Sequence, residues 1–210
     1  MITLANEGLV VRGRGQATIV APRRQFHRFA HRAAGLKAQM TSVGLTVTTE
    51  VRSLSPTKNS PHIGTPLPPQ EWWQCERVRF IDGVPAAFIR TWLPASYAQT
   101  LTVESLTDAS LHALLEESHG LRPVGGQRQI RAVPSDATLA TLLGIYPGAS
   151  LLLLEGTTLD QHGEVLEVFS TWHRGDLIAL DLSFDQDHPE PADASPLALA
   201  KRLVSALELS

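Results

Sequence analysis

The order of segments in this 210-residue sequence predicts an α+β fold, a mostly antiparallel sheet with helices packed on one side. Two strings carry that reading. ERVRFIDGVPAAFIRTWLP, residues 76–94, is two β-rich runs around Asp82-Gly83. LLGIYPGASLLLLEGTTLDQHGEVLEVFSTWHRGD, residues 142–176, holds two more around Gln161-His162-Gly163. Each string is a β-hairpin, and short helical segments stand between and around them. No internal repeat is present.

Taken in order, LVVRGRGQATIVAP reads as a hairpin around Gly13-Arg14-Gly15, whose glycines admit the positive φ of a tight turn. Pro22 ends it. Residues 23–43 read as a helix, because Phe26, Phe29, Ala33, Leu36 and Met40 recur at three- and four-residue intervals, and Gly44 stops it. LTVTTEVRSL (45–54) reads as a strand. SPTKNSPHIGTPLPPQ (55–70), rich in Pro and Ser, reads as a loop inside the domain. Strands 71–81 and 85–93 follow, then a helix at 110–118 before Gly120. Strand 127–133 leads to a helix over 136–143, with Ser135 as N-cap and Gly144 as terminator. Strands 149–159 and 164–174 pair, and 177–184 adds another. After the acidic, Pro-rich DQDHPEPADAS, a last helix is predicted over 196–208, opened by Ser195 and Pro196.

Composition sets the outer bounds. Hydrophobic residues make up 43% and charged ones 19%, an ordinary globular balance with enough apolar surface for a sizeable core. The single cysteine, Cys75, excludes an internal disulfide and fits a reducing compartment. No secretory leader and no span-length apolar run is present, which predicts a cytoplasmic protein without a membrane partner. The net charge of -3 is unevenly spread. Residues 1–40 hold seven basic side chains and one acid, whereas the remainder, with eleven basic and twenty acidic residues, carries -9. Such a basic arm suits a polyanion partner, and equally a solvated helix face.

Polar side chains share sheet faces. Arg77 and Arg79 stand two apart, and Glu167 and His173 six apart, so each pair points one way from its strand. Two arginines, a carboxylate and an imidazole suit a small anionic, hydroxyl-bearing molecule; ordinary outward polar positions show the same alternation. His27 and His31 have helical metal-ligand spacing but no evident third ligand, so a solvated face is expected and no metal or other cofactor. Cys75, beside Trp73, reads as buried packing rather than a nucleophile. Trp72, Trp73 and Trp92 read as core or interface bulk.

These strings, in this order and spacing, resemble a known family. ERVRFIDGVP, the LP ending the next strand, SLHALLEE, LLGIYPGASLLLLEGTTLD, the Glu167 strand and Arg174-Gly175-Asp176 together resemble the UTRA-type effector-binding domain of GntR-superfamily transcription regulators, HutC subfamily, from about residue 71 to 184. ANEGLVVRGRGQATIVAP is similar to the end of that superfamily's winged-helix domain. The wing hairpin is there, and only Met1 to Asn6 stand where a recognition helix would end. Three regions follow: a wing remnant at 1–22, an effector-binding and dimerisation domain at 23–184, and a linker with a C-terminal helix at 185–210.

The resemblance implies a fold like that of chorismate lyase, a homodimer, a small anionic metabolite (a phosphosugar or a carboxylic acid) as effector, and DNA as partner through a winged helix incomplete in this chain. Position by position it implies that Arg77 and Arg79 engage the anionic group. Asp108 to Ser110 would supply hydroxyls and backbone N–H groups at a helix N-terminus. Glu167 and His173 would meet the sugar, with Gly35, Leu36 and Lys37 a further contact. Arg12 and Arg14 would meet DNA through the wing. The sequence departs from sugar-binding relatives at Ile89 (glutamate there), Gly156 (often arginine) and His173 (tyrosine), which implies fewer polar contacts and a less hydroxylated anion. A metabolite-responsive transcription regulator, and not an enzyme, is the function expected. A lyase-like enzyme using Arg77, Arg79 and Glu167, and a DNA-free modulator that pairs with a full-length relative, are the alternatives.

Overall fold

The computed structural model describes residues 10–11, 19–20, 25–29, 35–58, 61 and 71–182. Two short strands, β1 (Val10–Val11) and β2 (Ile19–Val20), pair antiparallel, and the turn expected at Gly13-Arg14-Gly15 lies outside the described residues. Arg12 and Arg14, His31, and the linker and helix expected after residue 184 lie outside the described residues. Next come β3 (Phe26–Phe29) and a short helix, α1 (Leu36–Thr41).

The helix expected over 23–43 is thus a strand followed by a helix. Phe26 and Phe29 have helical spacing, but β3 pairs in parallel with β10 (Ile178–Asp181), Phe26 opposite Ile178 and Phe29 opposite Asp181. The partner strand overrides the local period. Gln39 ties the two pieces together, its amide donating to the Phe29 carbonyl and its side-chain oxygen accepting from the Phe29 N–H at 2.7 Å. Gly44, at φ 82°, ends the turn after α1, as its left-handed backbone requires.

Six longer strands form the main sheet: β4 (Val47–Thr57), β5 (Trp72–Ile81), β6 (Val84–Pro94), β7 (Pro123–Pro134), β8 (Ser150–Asp160) and β9 (Val165–Arg174). Their order is β4-β5-β6-β9-β8-β7, antiparallel throughout. The two hairpins of the sequence are β5–β6 and β8–β9. Asp82 (φ 48°) and Gly83 (φ 79°) both take the left-handed backbone that a two-residue hairpin turn demands. Pairing of β6 with β9 joins the hairpins, with Ala87 opposite His173, Ile89 opposite Thr171 and Thr91 opposite Phe169. The terminal strand expected over 177–184 is not in this sheet; β10 pairs with β3 instead.

Two four-residue helices absent from the sequence reading, α2 (Ala95–Ala98) and α3 (Val103–Leu106), precede α4 (Leu111–His119). Tyr97, Leu106, Leu111 and Leu115 pack with Cys75, Leu93 and Leu166 over one sheet face. Leu36 and Met40 of α1 pack with Val47, Ile81 and Ala87 beside them. The seven-residue α5 (Ala137–Leu143) brings Leu143 to Val78, Phe88 and Leu151, residues whose alternation aims them the other way. Its N-cap is Asp136, not Ser135: Asp136 Oδ1 accepts from the Leu139 N–H at 2.7 Å, while the Ser135 hydroxyl donates to the Tyr146 carbonyl. Replacing Asp136 by Ala should lower stability by about 1 kcal/mol, the usual loss of an N-cap, read as a lower urea midpoint at unchanged slope.

Candidate functional site

Alternation along three adjacent strands builds one polar face. Arg77 and Arg79 project from β5, Ile89 and Thr91 from β6, and Glu167, Phe169 and Thr171 from β9. The openings of α1 and α4 roof this face and leave a cleft of about 610 Å³, counted to its open mouth. Leu36, Arg77, Arg79, Ser110 and Glu167, all singled out from sequence, line it, as does Gly35.

Three other expected contacts do not reach its wall. Lys37 donates through Nζ to the Asp108 carbonyl, and Asp108 Oδ1 accepts from the Thr49 N–H at 2.6 Å. At φ 53°, Asp108 takes a left-handed turn that short polar side chains tolerate. The pair therefore fastens the loop before α4 to β4 and α1. His173 is fully buried behind the wall. A guanidinium can only donate, so the contact of Arg28 Nη1 with His173 Nε2 makes Nε2 the acceptor. Nδ1–H then donates to the Leu152 carbonyl at 3.2 Å. Burial and the positive Arg28 push the His173 imidazole down to about 3, so it stays neutral.

Sequence reading missed Arg28, His112 and Arg128. Arg28 lies on β3, a segment read as a helix. Arg128 arrives from β7, its Nη1 donating to the Gln127 and Thr157 carbonyls and its Nη2 to Thr158 Oγ1. Its guanidinium lies 4.7 Å from the centre of the Phe169 ring. The strand pattern held the signal for Arg128, but not the register that aims it. His112, the second residue of α4, bonds Glu167 Oε1 at 2.8 Å.

Four guanidinium groups, Arg28, Arg77, Arg79 and Arg128, thus share a cleft with one carboxylate, Glu167. Burial is the main force lowering Arg79 to about 9 and Arg28 to about 10, with neighbouring arginines adding to it. Burial works to raise the Glu167 carboxyl, yet His112, Arg77 and Thr158 outweigh it and hold the group at about 2. Arg77 is 3% exposed and donates once, to Thr91 Oγ1 at 3.1 Å. Five buried guanidinium nitrogens of this cleft have no hydrogen-bond partner among the described residues: Nε of Arg28, and Nε and Nη1 of both Arg77 and Arg79. Leaving a buried charged donor unpaired costs on the order of 1–3 kcal/mol or more. An anion in the cleft would supply the acceptors.

The remaining chemistry is sparse. Cys75 is fully buried, and burial is the first reason its thiol is raised, so it packs rather than reacts. His27 pairs with Asp181 at 3.1 Å. Among the described residues no three His, Cys, Asp or Glu groups gather as metal ligands, and no helix is long and apolar enough to cross a membrane.

The buried imidazole gives a pH test. Unfolded, His173 titrates near 6.5; folded, near 3. Between those values the unfolded chain binds a proton that the folded chain refuses, so stability is lost as pH falls below about 6.5. His173→Gln keeps an acceptor for Arg28 and removes the titration. Denaturation curves from about pH 7 to 5 should therefore slope less in the variant than in the parent. Equal slopes would contradict a neutral His173.

Comparison with known proteins places the fold in a family. Residues 42–179 match the UTRA domain family. The HTH-type transcriptional repressor NagR of Bacillus subtilis (strain 168) is 28% identical over 178 residues, 82% of this chain and 72% of that protein. The effector domain of PhnF from Mycobacterium smegmatis superposes with a TM-score of 0.66 at 22% identity, covering 76% of this chain and 99% of that one. The ligand-binding domain of a GntR-family regulator from Bordetella bronchiseptica gives 0.61 at 21% identity, covering 78% and 99%. The match takes in both hairpins, α4 and most of the cleft wall, and on it the chain belongs to the UTRA domain family.

Proposed function

We propose that this chain is the sensing and dimerisation portion of a metabolite-responsive transcription regulator, and that its cleft binds a small anion of the phosphosugar or carboxylic acid class. The excess of buried guanidinium groups, with nitrogens still lacking partners, carries the reading. Guanidinium forks match carboxylate and phosphate oxygens, and the first turn of α4, capped by Ser110, opens onto the cleft. Leu36, Ile89, Leu111 and Phe169 add apolar wall beside the hydroxyls of Thr91, Ser110 and Thr171, which suits an anion with an apolar part. Arg28 belongs to β3, the strand between the β1–β2 hairpin and α1. An anion that captures Arg28 would therefore engage the segment leading from that hairpin, in a chain similar to a repressor. A lyase-like role is not favoured: a Glu167 carboxyl near 2 is ionised at neutral pH and has no proton to give.

A thermal-shift screen of phosphorylated sugars, small carboxylic acids and neutral metabolites tests the reading, since a ligand of the folded state raises the melting temperature. Anions should give the largest shifts. Arg77→Ala or Arg79→Ala should each weaken binding by about 1.5–3 kcal/mol, the scale of a charged hydrogen bond. A neutral apolar compound giving the largest shift, retained in the double variant, would overturn the anion site.

The homodimer rests on the family likeness alone. The apolar run at 149–154 does not serve it, because Leu151, Leu153 and Leu154 are buried within the chain. Sedimentation should give a dimer at tens of micromolar; a monomer throughout would remove that part.

A further inference from the structure

The four arginines are fastened as two separate pairs. Arg77 and Arg79 leave β5, and Arg77 is fixed over β6 by its bond to Thr91. Arg128 crosses from β7 to lie on Phe169 of β9, and Arg28 is fixed by His173, also of β9. Thr91 and Phe169 are opposite each other in register, so Arg77 and Arg128 meet at one end of the floor; His173 stands opposite Ala87, in line with Arg79, so Arg28 and Arg79 meet at the other end, four residues or about 13 Å along β9. Between them lie Ile89 and Thr171, paired in register, which offer a methyl-lined floor and one hydroxyl.

Resting on the anion reading above, we propose that the effector carries two acidic groups joined by a short spacer, one held by Arg77 and Arg128 and the other by Arg28 and Arg79. Charge supports it. Glu167 offsets one of four guanidinium charges, and a single carboxylate would offset one more. Acceptor supply supports it as well. The partnerless nitrogens belong to both ends, on Arg77 at one and on Arg79 and Arg28 at the other. Each carboxylate or phosphate takes a forked contact from one or two guanidinium groups. The oxygens of one such group are too compact to satisfy forks anchored about 13 Å apart along the strands. A phosphorylated hydroxy acid or a dicarboxylate meets both, its spacer lying over Ile89 and Thr171.

Calorimetric titration of the full chain separates this from a single-anion site. The one-headed probes are inorganic phosphate and glycolate. The two-headed ones are phosphoglycolate, 3-phosphoglycerate, succinate and glutarate. At least one two-headed probe should bind about tenfold more tightly than either one-headed probe. Arg128→Met should abolish that advantage while leaving phosphate affinity within about twofold, and Arg128→Gln, which keeps a donor for the Thr157 carbonyl, should do the same in a chain that melts as the parent does. If phosphate binds as tightly as every two-headed probe, or if the Arg128 variants weaken all probes equally, the two-group effector is wrong and the anion site stands. If none of the six binds the parent chain, the anion reading itself falls with it.

Discussion

The antiparallel pairing of β6 with β9 is the constraint on which the site depends. Each flanking hairpin is set by its own turn, but only this pairing puts the arginines of β5 and the carboxylate of β9 over one floor. Side chains alternate with a period of two, so a slip of one residue would turn Ile89 and Thr91, or Glu167 and Phe169, to the opposite face. That face is already claimed by Val78, Phe88 and Leu151 packing with Leu143 of α5. Apolar packing on the reverse side thus fixes the register that aligns the polar groups on this one. The site's geometry is a by-product of a well-packed core behind it.

Within that frame Glu167 holds the charges together. It accepts from Thr158 Oγ1 at 3.0 Å and bonds His112 at 2.8 Å, and it attracts Arg28, Arg77, Arg79 and Arg128. One carboxylate among four guanidinium groups leaves a net positive, poorly solvated centre, an arrangement that costs stability in a free chain. Such an arrangement is stable only because the surrounding sheet over-determines it. Its burial also makes each remaining N–H a stronger binder than it would be in water.

Much of this was legible in the sequence, for reasons that particular residues make plain. The Asp82-Gly83 turn and the two-residue period of Arg77 and Arg79 are local signals, and both survive in the folded chain. Phe26 and Phe29 misled because a spacing of three fits a helix, while the fact that decides them is pairing with β10, about 150 residues away. Ser135 and Asp136 are both good N-caps, and a tertiary bond from Ser135 to the Tyr146 carbonyl settles which one serves. Arg28 and Arg128 reach the cleft through elements distant in sequence, which no local pattern could announce. His173 was seen on the correct strand face, but whether a side chain forms the wall or stands behind it depends on what covers it, and Arg28 does.

Gly156 shows how a reading one residue at a time goes astray. Taken alone, a glycine where relatives often carry arginine means a lost cation and a roomier pocket. In the folded chain Gly156 lies directly opposite Arg128, and a Cβ at that position would sit 1.9 Å from the Gln127 carbonyl oxygen. Gly126 is equally confined, its own Cβ position 2.0 Å from the Thr157 oxygen. Two glycines therefore let β7 and β8 approach where a side chain would hold them apart, and Arg128 passes over the bare backbone to the Phe169 ring. The cation missing from β8 is supplied by the strand beside it. What the cleft keeps is its positive charge; what changes is the direction from which one of its guanidinium groups arrives.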